Sequence, residues 1–213
     1  METSGSVLTV ALGSRGHCIE LIINNEFNHA QSLMPAVASA FEQSTIRAED
    51  LDIVACSAGP GSFTGLRIGM ATAKGIVMGA SCHLKVLPTL DLLAAGREDW
   101  PGAVVPIIDA RKKRVYTTAF QNGQRIRDYQ DIALDKFLGP LTKEFAILAT
   151  GPNADLAEGY NRVTIDRLAG YGRGAAMITA ARNAYEKNGP DPLNTGPVYL
   201  RPSDAEIGLS IRI

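Results

Sequence analysis

The stretch Ser57-Ala58-Gly59-Pro60-Gly61-Ser62-Phe63-Thr64-Gly65-Leu66-Arg67-Ile68-Gly69 does most to limit what this chain can become. It follows a continuous apolar run, Leu51 to Ser57 (LDIVACS), and leads into an apolar helical pattern over roughly Leu66 to Gly79. A short strand with no polar alternation is one buried on both faces. A strand of that kind, a glycine turn and a helix in succession predict an α/β fold.

The rest of the chain has the same grammar. Ser6 to Leu12 and Cys18 to Ile23 are apolar, β-branched runs, joined by Gly13-Ser14-Arg15-Gly16 with the chemistry of a hairpin turn. From Ala30, the residues Leu33, Met34, Val37, Ala38 and Phe41 recur at helical spacing. Leu84 to Leu87 reads as a strand and Leu90 to Ala95 as a short helix stopping near Gly96. Beyond a hinge over Gly96 to Gly102 the pattern restarts. Strand Val104 to Asp109, a basic turn, strand Val115 to Gln121, a turn at Asn122-Gly123 and strand Arg125 to Tyr129 come first. Helix Leu134 to Lys143, strand Phe145 to Ala149 and helix Gly174 to Lys187 follow, before a Pro-rich tail from Gly189 to Pro202. The second half resembles the first in order, so two α/β halves are expected, 1–98 and 99–213, the latter with the tail.

The glycine-rich turn is the first candidate for chemistry. Gly59, Gly61 and Gly65 permit close backbone approach, and Ser62, Thr64 and Arg67 stand where a helix N-terminus offers free N–H groups, the elements of a phosphate cradle. Against that reading, Gly65 is followed by Leu66 and Arg67 rather than the Lys and hydroxyl of a P-loop, and no GxGxxG occurs. A tight strand-to-helix connection, with Ser62 or Thr64 capping the helix, explains the same residues.

The two helices raise a different possibility. Across residues 29–46 and 57–84 only Glu42, Arg67 and Lys74 are charged, against a chain average of 20%. Gly69, Gly75 and Gly79 each weaken a helix by about 1 kcal/mol relative to alanine, so something must pack closely there. Gly65, Gly69 and Ala73 form a smooth i, i+4, i+8 stripe. Either these helices are buried twice within the chain, or they present a surface to another protein.

Other candidates are few. His17, His29 and His83 are the only histidines, none three or four residues from another, and neither HExxH nor GxSxG is present. Asp109 reads as a turn or cap residue at a strand end, and Arg111-Lys112-Lys113-Arg114 as a basic hairpin tip. No catalytic residue and no metal ligand is assigned. A net charge of −1 excludes a broad positive field for nucleic acid, so any RNA is expected to be gripped by a partner. Cys18, Cys56 and Cys82 give neither a disulfide framework nor a zinc pattern, which suits a reducing cytoplasm. No apolar run long enough to cross a membrane is present.

The segment SAGPGSFTGLRIGMATAKG, Ser57 to Gly75, resembles the signature of the TsaB family. His29-Ala30-Gln31-Ser32-Leu33-Met34-Pro35, Ile108-Asp109-Ala110-Arg111, Val115-Tyr116 and Pro197-Val198-Tyr199-Leu200-Arg201 are similar to that family too. The resemblance implies the duplicated fold of actin and the sugar kinases, two tandem ribonuclease H-like subdomains. It further implies a non-catalytic partner of TsaD, the paralogue that transfers threonylcarbamoyl to tRNA, together with the ATPase TsaE. TsaD carries an HxxxH metal pair, whereas here His29 is followed four residues later by Leu33. The resemblance places the partner interface on Ser32, Leu33, Pro35, Ala36, Ala40, Leu66, Gly69, Met70, Ala73 and Val77. A homodimer is implied when TsaD is absent, and tRNA is met only within the complex. No tightly bound cofactor is expected, with room left for ATP or ADP at a complex interface. A sugar-kinase-type phosphotransferase and a metallopeptidase are the competing readings. Family members open with a strand of apolar residues before an Asp-Thr-Ser-like turn. Here Met1 abuts Glu2-Thr3-Ser4, so the first strand of the N-terminal half is expected to be missing, with the start placed too late.

Overall fold

In the computed structural model, residues 1–14, 17–24, 28–169 and 173–200 are described. The first half opens with a hairpin of β1 (Val7–Ser14) and β2 (His17–Asn24), paired antiparallel from Val7↔Asn24 to Ser14↔His17. Arg15 and Gly16, assigned to the hairpin turn, lie outside the described residues, and Gly13 and Ser14 belong to β1. Then come α1 (His29–Glu42), β3 (Ile53–Ser57), α2 (Phe63–Ala80), β4 (His83–Leu87) and α3 (Thr89–Ala94). β3 and β4 are parallel, with α2 as the crossover between them.

The second half contains β5 (Ala103–Arg111), β6 (Arg114–Gln121), β7 (Gln124–Ile132), α4 (Leu134–Glu144), β8 (Ile147–Thr150), β9 (Val163–Ile165) and α5 (Gly174–Asn188). Its sheet has the order β7-β6-β5-β8-β9. β5, β6 and β7 are antiparallel neighbours, while β8 and β9 are parallel to β5. β9 was not foreseen, because three residues with one exposed Thr carry no period to read.

The first half follows the same plan, β2-β1 and β3-β4, but as two separate pairs of strands. Between them stand only Met1 and Glu2. Glu2 and Thr9 exchange N–H···O bonds of 2.8 and 3.0 Å, the Met1 amine donates to the Ala55 carbonyl at 2.7 Å, and the Ser57 N–H donates to the Met1 carbonyl at 3.2 Å. The fold is thus the expected pair of actin-like subdomains, with the middle strand of the first reduced to two residues.

Each half has its own apolar centre. Leu8, Val10, Leu33, Ala36, Val37 and Ala40 pack α1 on the hairpin, and Val54, Cys56, Met70, Ala73, Val77 and Leu84 pack α2 on β3 and β4. Val105, Ile107, Leu138, Leu141 and Ile147 fill the second half. Fully burying one such leucine contributes about 1.5–3 kcal/mol. α5 and the tail return to the first half: α5 packs on β1, β2 and β4, the Asp191 N–H donates to Leu84, and the Val198 N–H donates to Ala58. Residues 201–213 of the tail lie outside the described residues.

Candidate functional site

The glycines after β3 make room for the chain's own backbone. A Cβ on Gly65 would stand 2.0 Å from the Thr3 carbonyl oxygen, one on Gly69 2.2 Å from Thr3 Oγ1, and one on Gly61 2.5 Å from Ser4 Cβ. Thr3 is fully buried and donates from Oγ1 to the Gly65 carbonyl at 2.9 Å. Gly59, at φ +109°, faces Val198 of the tail, whose carbonyl oxygen a Cβ would meet at 2.4 Å.

Three donors of the turn are engaged inside the chain. The Gly59 N–H donates to Thr89 Oγ1 at 3.1 Å, the Ser62 N–H to the Ser4 carbonyl at 2.7 Å, and the Gly65 N–H to Ser62 Oγ at 3.2 Å. Ser62 is therefore the N-cap of α2, and the helix begins at Phe63, three residues earlier than its apolar period suggests. Thr64 and Arg67 are exposed. The Arg67 guanidinium lies 3.8 Å over the Phe63 ring, which stacks on Tyr199 at 5.2 Å.

The remaining polar candidates have structural partners. His29 is fully buried, with Nε2 2.7 Å from the Gly5 carbonyl, and Leu33 one turn on is core. The Asp109 carboxylate accepts from the Arg111 N–H at 2.8 Å, closing the basic turn, and Arg114 pairs with Asp131 at 2.6 Å. Burial pushes the Cys56 thiol up to about 11, which keeps it protonated. Among the described residues no group of three or more His, Cys, Asp or Glu converges as a metal site, and no helix is long and apolar enough to cross a membrane.

The helical face expected from the sequence needs correction. Leu33, Ala36, Ala40, Leu66, Gly69, Met70, Ala73 and Val77 are all buried within this chain. Ser32 is half-buried, and of the interface residues named from the sequence only Pro35 is exposed. The physical reason is that the inner stripe of each helix packs on β1, β3 and β4, and the Gly65-Gly69 stripe admits Thr3.

The low charge persists on the outside. The outer faces of the neighbouring α1 and α2 expose Met34, Pro35 and Ala38, then Ala71, Gly75, Met78 and Gly79. Met34 keeps 52% and Met78 72% of its surface exposed, where large apolar side chains are normally covered. A Cβ at Gly75 or Gly79 would meet nothing within 4 Å. These two glycines, legible in the sequence as expensive in a helix, have no partner atom that explains them.

The sequence carries relatives along nearly its whole length. A tRNA threonylcarbamoyladenosine biosynthesis protein TsaB of Bacillus subtilis (strain 168) is 30% identical, over 97% of this chain and 94% of the relative. The chain belongs to the TsaB family. A TsaB protein of Buchnera aphidicola is 29% identical over 70% of this chain and 73% of that relative. Residues 24–183 also match the sequence model of the family TsaD, tRNA N6-adenosine threonylcarbamoyltransferase. A solved structure, YeaZ from Pseudomonas aeruginosa, shares the fold with a TM-score of 0.77 at 24% identity, covering 93% of this chain and 97% of that one.

Proposed function

We propose that this chain acts in tRNA threonylcarbamoyladenosine biosynthesis, in the cytoplasm, as a non-catalytic scaffold for a TsaD-like protein. The observation that carries this is the outer face of α1 and α2, exposed, apolar and nearly free of charge, with Gly75 and Gly79 open to close approach by another helix. His29 and Leu33, where the resemblance implies the TsaD metal pair, are both committed to the interior, which supports a subunit that does no bond chemistry. A TsaE-like ATPase joins the assembly, tRNA is contacted only there, and ATP or ADP binds at a complex interface rather than in the glycine turn. Alone, the same face pairs two copies of this chain.

Co-expression with the TsaD-like protein of the same organism, followed by light scattering, tests the reading. A one-to-one complex is expected, lost in Ala38→Arg and Gly75→Arg and retained in Lys136→Ala on the exposed side of α4. Arginine at Ala36 or Gly69 would be uninformative, since both sites are core. Normal binding by both outward variants, with the chain folded, would sink the assignment.

A further inference from the structure

The two hairpins of the second sheet turn in the same way on very different residues. Between β6 and β7 the two-residue turn is Asn122-Gly123, at φ +49° and +73°. Between β5 and β6 it is Lys112-Lys113, at φ +54° and +60°, and Arg111 before it stands at +61°. Two central residues with positive φ match the twist of the flanking strands, and Asn-Gly is a pair that adopts this turn with little strain. A lysine there brings its Cβ close to the following carbonyl oxygen, with no short polar side chain to compensate. The chain therefore holds three consecutive long cationic residues in the left-handed region, in a sheet whose other turn uses the unstrained pair.

The surroundings fix this turn and leave its charge outside. The Asp109 N–H donates to Asn153 Oδ1 at 2.8 Å, the Asp109 carboxylate accepts from the Arg111 N–H at 2.8 Å, and Arg114 pairs with Asp131 at 2.6 Å. Ala110 is buried, whereas Arg111, Lys112 and Lys113 are all exposed. Asp109 and Asp131 offset two of the four cations from Arg111 to Arg114, so the tip keeps an excess of positive charge on a chain of net charge −1. Strained backbone persists where the surrounding structure over-determines it, and such places cluster at functional sites. The exposed residues include no apolar or aromatic anchor of the kind a protein interface buries at its centre, where lysine is depleted. Exposed lysine and arginine are instead the groups that contact the phosphates of a nucleic-acid backbone.

We propose that the Arg111-Lys112-Lys113 tip of the β5–β6 hairpin binds the phosphate backbone of RNA, at about two or three phosphates and without reading bases. The inference rests on the role in tRNA modification and adds the surface by which this chain itself meets the tRNA of the assembly. The tip belongs to the second half, whereas the face offered to the TsaD-like protein lies on α1 and α2 of the first, so either can be altered alone.

Lys112→Asn combined with Lys113→Gly tests it, because the pair removes both charges and gives the turn the residues its backbone favours. The unsubstituted and substituted chains are each co-expressed with the TsaD-like protein, checked for the one-to-one complex by light scattering, and titrated with bulk tRNA of the same organism at several salt concentrations. The substituted complex should bind tRNA about tenfold or more weakly, with the slope of log affinity against log salt reduced by about 2, one for each lost phosphate contact. The thermal midpoint of the substituted chain should rise as the strain is relieved, and Lys136→Ala on α4 should leave the salt slope unchanged. Unchanged tRNA affinity and slope in an intact complex would overturn this proposal and leave the scaffold reading standing. A lower midpoint would mean that the lysines serve the fold, and would overturn it too. Loss of the complex on changing the tip would put an acidic protein surface there in place of RNA. No complex from the unsubstituted chain would remove the scaffold reading and this one with it.

Discussion

The glycines of α2 divide by what stands against them, and the division predicts opposite signs for the same substitution. At Gly65 an added methyl meets the Thr3 carbonyl at 2.0 Å, so Gly65→Ala should lower stability by about 1–3 kcal/mol despite its better helix propensity. At Gly75 nothing lies within 4 Å, and Gly75→Ala should raise the stability of the isolated chain by up to about 1 kcal/mol. Urea unfolding of the two variants reads both signs, and a loss at Gly75 would mean the outer face is already covered. A second residue-scale effect sits between the halves, where Tyr129 donates to the Asp91 carboxylate at 2.6 Å. Burial pushes the Asp91 carboxyl above its ordinary value, outweighing the Tyr129 hydrogen bond and the nearby Arg125, which act downward. A raised carboxyl pKa means the folded state holds its proton longer than the unfolded one. Stability should therefore fall as pH rises through a window that opens near the unfolded value, about 4, and closes at the raised folded value. Asp91→Asn should flatten that slope in urea midpoints taken across the window.

At the scale of elements, the Asp191 side chain is one of the ties that hold the tail to the edge of β4. Asp191 accepts from the Val86 N–H at 2.8 Å and pairs with Lys85 at 3.2 Å, while Lys85 also donates to the Gly189 carbonyl at 3.0 Å. The Lys85 side chain is 6% exposed and that of Asp191 28%. Asp191→Ala strands a buried ammonium and should destabilise by on the order of 2–4 kcal/mol, short of the largest buried-pair losses because Asp191 keeps some water. Lys85→Met combined with Asp191→Asn should recover most of that loss in the same unfolding measurement, since no unpaired charge is left behind. The boundaries of the elements were legible to within a few residues because their apolar periods are strong. α2 began earlier than its period suggested because Ser62, a polar residue outside any pattern, supplies the cap.

For the whole molecule, an interface made from the outer faces of α1 and α2 carries one test beyond mutation. With Arg67 and Glu42 its only exposed charges, association should depend weakly on salt and show a negative heat-capacity change, as calorimetry at low and high salt would measure. A steep salt dependence would move the contact to a charged surface such as the turn at Arg111 to Arg114. Much of this was readable beforehand. The alternation of strands, glycine turns and helices determined the α/β class and the duplicated order, because local periodicity and backbone chemistry are written residue by residue, while the kinship with TsaB rested on the signature from Ser57 to Gly75. The charge deficit of the two helices was equally plain. Which side of each helix faces inward was not, because both sides of α1 and α2 are apolar, and only packing against β1, β3 and β4 selects one. Nor could spacing show that Gly61, Gly65 and Gly69 accommodate Thr3 and Ser4, some sixty positions away. That contact, the closing of the tail over Gly59 and the bonds of Met1 to Ala55 and Ser57 join distant parts of the chain, and such meetings exist only once the chain has folded.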